Sequence, residues 1–74
     1  MENLINVNFI KNYMKEFNFS IKSFSEECKL EEDNLKKILN NESDINILWI
    51  INLAKAMRLH PYYLFFDNLK NLSD

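Results

Sequence analysis

Residues Ser20 to Asn41 read SIKSFSEECKLEEDNLKKILNN. Ser20 can cap a helix because its hydroxyl accepts from an orphan amide, and Phe24 and Cys28 then fall one turn apart on one face. Leu30 closes the turn that follows. A second helix over about 32–40 gathers Leu35, Ile38 and Leu39 into one stripe, and Asn41 can take the left-handed conformation that ends it. Two short amphipathic helices joined by a tight turn are therefore predicted.

Such a pair is a helix-turn-helix, spanning about 20–41, and the flanks read as further helices. Upstream, Ile10, Tyr13, Met14 and Phe17 recur at helical spacing, which predicts a helix from Val7 or Phe9 to Phe17, capped by Asn6 or Asn8 and stopped at Asn18. Met1 to Ile5 is either a frayed end or an apolar arm packed on this domain or on a second copy. Downstream, a polar connection offers Asp44 or Asn46 as the cap of a fourth helix. On that helix Ile47, Ile50, Ile51, Ala54 and Met57 form a wide apolar face that Leu48 and Leu53 extend, so it should be mostly buried. Trp49 sits on its flank, where an indole either covers the core edge or meets a partner. The helix should end at Leu59 and His60. Pro61 suits the first position of a fifth helix running to about Leu72.

Seventy-four residues make one small domain. A chain of that length buries only about 60% of its unfolded surface, so its stability should be marginal unless a partner covers more. No Gly, one Pro and an apolar fraction of 47% argue for an all-α body. The longest apolar run, Ile47 to Ile51, falls far short of the roughly 20 residues a membrane span needs. With one cysteine and no signal-peptide pattern at the start, a cytoplasmic protein is expected.

From about Phe19 to Phe65 the pattern resembles the phage-repressor class of helix-turn-helix domains, the Xre-like or Cro-like family. Ser20 matches the family's cap, Phe24 and Cys28 its apolar positions in helix two, and Leu35 and Ile38 its apolar pair in helix three. INILWIINLAKAMRLHPYYLF, residues 45–65, stands where the family has an apolar fourth helix with a Leu-Ala-Lys-Ala-like core and a turn into the fifth. Ser25 replaces the family's usual Ala at the close helix contact, and Lys29 its usual turn Gly. The resemblance implies a compact five-helix repressor-like domain over residues 1–74 that binds double-stranded DNA as a transcriptional regulator. Its third helix, about 32–40, would lie in the major groove. Carried over position by position, base reading falls on Glu32, Asp33 and Lys37, with Asn34 and Lys36 beside them, and phosphate contact on Ser20, Ile21, Lys22, Asn40 and Asn41.

The charges complicate that expectation. Glu26, Glu27, Glu31, Glu32 and Asp33 stand against Lys29 alone, a local charge of −4 where neutralising phosphates normally supplies affinity. Acidic residues at a helix start also stabilise it through the macrodipole, so the cluster suits a second reading: a degenerate helix-turn-helix that presents an acidic face to a basic protein partner or mimics nucleic acid. Tyr62, Phe65, Phe66, Leu69 and Leu72 either fill the core or pair two copies as a homodimer. His60 has no metal-spaced neighbour, Cys28 occupies a core position and the chain has no Gly loop for phosphates. No catalytic residue, metal ligand or cofactor is assigned, and an enzyme is not expected.

Overall fold

The computed structural model of the chain describes residues 5–42 and 44–65. Its α-helices are α1 (Val7–Glu16), α2 (Ile21–Cys28), α3 (Glu32–Leu39) and α4 (Ile47–Ala56), followed by a 3₁₀ turn at Pro61–Leu64. The described residues form no strand, only an isolated antiparallel bridge between Ile5 and Phe65.

Short polar side chains start most of these elements by satisfying amides that no helical carbonyl reaches. Asn6 accepts from the Phe9 amide at 3.2 Å and Asn46 from the Leu48 amide at 2.8 Å. Ser20 and Ser23 cap reciprocally: Ser20 Oγ accepts from the Ser23 amide at 3.0 Å, and Ser23 Oγ from the Ser20 amide at 2.9 Å. His60 Nδ1 accepts from the Tyr62 amide at 3.1 Å and so starts the 3₁₀ turn. Only α3 begins without such help, since Glu31 makes no side-chain capping bond.

Every α-helix ends in a left-handed residue, in a chain without glycine. Asn18, Lys29, Asn41 and Arg58 have φ of 59°, 58°, 56° and 58°. In each case the next amide reaches back five residues: Phe19 to the Met14 carbonyl, Leu30 to Ser25, Glu42 to Lys37 and Leu59 to Ala54. The left-handed conformation costs roughly 1–2 kcal/mol for most residues and less for Asn, so the two Asn ends are cheap and the Lys29 and Arg58 ends are not. The α2–α3 turn thus keeps a geometry suited to Gly at Lys29.

The core draws on every element. Ile10 of α1, Phe24 of α2, Leu35 and Ile38 of α3, Leu53 of α4 and Leu64 of the 3₁₀ turn are all fully buried. Rings of Tyr13, Phe19 and Phe24 lie with centroids 4.9 to 6.3 Å apart and fasten α1 to the start of α2. Ser25, the polar residue at the close helix contact, is 2% exposed, and its hydroxyl donates to the Lys22 carbonyl at 2.7 Å. That bond removes the cost of burying it.

Two expectations need correction. The fifth helix starts at Pro61 as predicted but is a single 3₁₀ turn to Leu64, and Phe65 is extended (φ −96°, ψ 161°). The cause is tertiary: Phe65 bridges to Ile5, and the Asn6 amide donates to the Leu64 carbonyl at 2.7 Å. The remainder of the expected helix, with Phe66, Leu69 and Leu72, lies outside the described residues. The second correction concerns α4, which stops at Ala56, before Leu59, and whose first turn is not buried. Ile47 is 58% and Leu48 61% exposed, because so small a core covers only the stretch from Ile50 to Met57.

Candidate nucleic-acid interface

Burial of Leu35 and Ile38 fixes the rotation of α3, and with it everything the helix offers to a partner. At 3.6 residues per turn, Asp33, Lys36, Lys37 and Asn40 then form a stripe on the side away from the core. Glu32, Asp33, Lys36 and Asn40 are exposed, and Asn34 and Lys37 half-buried. All five residues expected to read bases therefore keep solvent access.

Lys37 does not point freely outward. Its Nζ donates to Asp44 Oδ2 at 3.1 Å and lies 6.0 Å from the centre of the Trp49 ring. The hydrogen bond, and next the charge of Asp44, hold the Lys37 ammonium above its usual range. The same hydrogen bond holds the Asp44 carboxyl below its own. Asp44 lies in the α3–α4 connection and Trp49 on α4, so the tether draws this lysine toward the start of α4. An exposed ion pair is weak and screened by salt, which leaves Lys37 available to a competing phosphate. Trp49 is half-buried against the core and covers its edge.

The residues expected to grip phosphates divide into two groups. At the start of α2, the Ser20 hydroxyl is occupied in its reciprocal cap, while the amides of Ile21 and Lys22 have no intrahelical acceptor and the Lys22 side chain is exposed. At the far end of α3, Asn40 is exposed and Asn41 is the half-buried left-handed residue of the helix end. Against these donors stand Glu31, Glu32 and Asp33, all exposed, and none makes an ion pair among the described residues.

The Lys37–Asp44–Trp49 group is what the sequence left unread. Its members are seven and twelve residues apart, a separation with no helical signature, and Asp44 presented itself only as a candidate cap, a task Asn46 performs. Of the residues considered for pairing two copies, Tyr62 and Phe65 are half-buried, with Phe65 packed on the core. Cys28 is 2% exposed, and burial, with Glu27 second, pushes its thiol up to about 12, so it is inert at neutral pH. Among the described residues, no three His, Cys, Asp or Glu side chains are grouped to hold a metal ion, and no helix is long and apolar enough to cross a membrane. No protein family, curated protein or solved structure matches the chain.

Proposed function

We propose that the protein is a small sequence-specific DNA-binding regulator of the Xre-like or Cro-like helix-turn-helix class, with α3 in the major groove and two copies reading a palindromic site. The observation that carries this reading is the pose of α3: Leu35 and Ile38 wholly inside, and Asp33, Lys36, Lys37 and Asn40 along the outer side. Asn34 and Asn40 suit base edges, Lys36 and Lys37 guanine or phosphate, and the free amides at the start of α2 a phosphate. Of the acidic residues, one can accept from a cytosine amino group. The others weaken binding, so affinity depends strongly on Lys22, Lys36 and Lys37.

Titration of labelled genomic fragments at several salt concentrations tests the proposal. Three lysine contacts per copy give six per dimer, and log affinity should fall against log salt with a slope of about −5. Lys37→Ala should weaken binding by about 1–3 kcal/mol with an unchanged circular dichroism spectrum. Absence of retention even at low salt removes the DNA reading, and a Lys37→Ala variant that binds like the parent removes this placement of α3. Sedimentation should give a dimer for the parent and a monomer for Phe66→Glu; monomeric parent protein ends the paired-site part.

A second reading is favoured by one observation, the run Glu31, Glu32 and Asp33, without an ion pair among the described residues, beside a lysine already held by Asp44. That surface suits a basic protein partner. Reversing Glu32 and Asp33 to Lys should abolish pull-down of such a partner while strengthening retention of DNA. Undiminished pull-down excludes the acidic face as the binding surface.

A further inference from the structure

The two costly left-handed helix ends face the same space. Lys29, at the end of α2, and Arg58, at the end of α4, both line a cleft of about 480 Å³ whose wall also carries Lys55, Asn52, Glu27 and the buried Cys28. No residue of α3 contributes. Three cations line it against Glu27, a side-chain charge of +2 that the carbonyl ends of α2 and α4 offset only in part, in a chain whose net charge is −2. None of the three makes an ion pair among the described residues, and all three are exposed.

Attraction between a cation and the carbonyl end of a helix is the ordinary explanation for such residues, and here it falls short. For an exposed side chain that attraction is smaller than the cost of placing Lys or Arg in the left-handed region. At the ends of α1 and α3 the chain uses Asn instead, which meets the same backbone requirement at less cost. Among the described residues, the costlier left-handed positions are thus the two that line one cleft, a pattern that fits residues serving a ligand and not the fold.

We infer that the cleft between the ends of α2 and α4 binds a small polyvalent oxyanion, a phosphate- or carboxylate-bearing molecule held by Lys29, Lys55 and Arg58. The cleft's volume lies in the range of small-molecule sites, too small for a folded partner. Arg58 offers a planar fork for two oxygens, and Lys29 and Lys55 add point charges. Asn52 supplies an amide beside them. Nothing in this assignment depends on what α3 contacts.

Nuclear magnetic resonance titration of the isotope-labelled whole chain with inorganic pyrophosphate, and separately with citrate, tests it and distinguishes the two sources of charge. Saturable shifts confined to the amides around Lys29, Asn52, Lys55 and Arg58, with a midpoint below about 1 mM for at least one anion, are expected. The decisive variant carries Lys29→Asn and Arg58→Asn together: it should melt higher than the parent, because strain is relieved, and bind the anion at least about tenfold more weakly. Lys55→Gln, where the backbone is helical, should weaken binding without raising the melting temperature. The site is overturned if neither anion produces shifts, if the shifts grow linearly and spread to Lys11, Lys22 and Lys36, or if the double variant binds like the parent.

Discussion

Lys29 and Cys28 are neighbours whose energetics run opposite ways. Lys29 holds φ 58° and ψ 42°, a conformation that favours glycine. Lys29→Gly should raise stability by about 0.5–1 kcal/mol, the relief of the left-handed strain less the extra freedom glycine gives the unfolded chain. Urea unfolding with an unchanged m-value checks it, and a destabilised variant would mean that the lysine stem contributes packing that outweighs the strain. Cys28 supports the fold instead, and its thiol pKa sets a pH limit. Burial raises that pKa from 9.0 to about 12, so the folded state keeps a proton that the unfolded chain gives up. The contribution is complete below about pH 9 and is lost as pH rises from 9 toward 12, by at most about 1.4 kcal/mol per pH unit. The stability gap between the parent and Cys28→Ala should therefore narrow from pH 8 to pH 10.5 in urea titrations. A gap that stays constant would mean that the thiol ionises in place.

Helix starts were legible in the sequence because a cap acts within three residues. Ser20, and Pro61 after His60, stand where the chain turns into each element, and Asn6 and Asn46 each cap a helix from one of the two positions expected. The inward stripes at Phe24 and Cys28 and at Leu35 and Ile38 were equally plain, for the helical period places them without knowledge of any neighbour. Helix ends were less so. Arg58 carries no local sign of a left-handed conformation, and α4 accordingly stops short of Leu59. The fate of Phe65 depends on Ile5, sixty residues away, which no periodicity can report. The candidate interface followed the same rule: the exposed side of α3 could be read, but the Asp44 tether on Lys37 could not. Glu31 fails to cap α3, so Glu31→Ser should add about 1 kcal/mol, and Ser20→Ala should remove about as much from α2. Matched denaturation midpoints for Glu31→Ser and the parent would show that the first amides of α3 are already satisfied by water.

At the scale of the molecule, the described chain closes on itself. Ile5 is 7% exposed and bridges to Phe65, so this residue packs on its own domain against the segment after the 3₁₀ turn, while the rest of the expected arm, residues 1–4, lies outside the described residues. A domain this small has little stability in reserve, and each buried aliphatic side chain carries a large share of it. Ile5 and Ile47 allow a direct comparison, since the same residue type is buried at one position and 58% exposed at the other. Ile5→Ala should lower stability by about 2–4 kcal/mol, through lost burial and an incompletely filled cavity. Ile47→Ala should change it by no more than about 0.5 kcal/mol. At about 4–8 °C per kcal/mol for a domain of this length, the two variants should differ in melting temperature by well over 5 °C. Equal melting temperatures would mean that the contact between Ile5 and Phe65 adds nothing to the fold, and the 3₁₀ turn would lose the tertiary reason given for its stopping at Leu64.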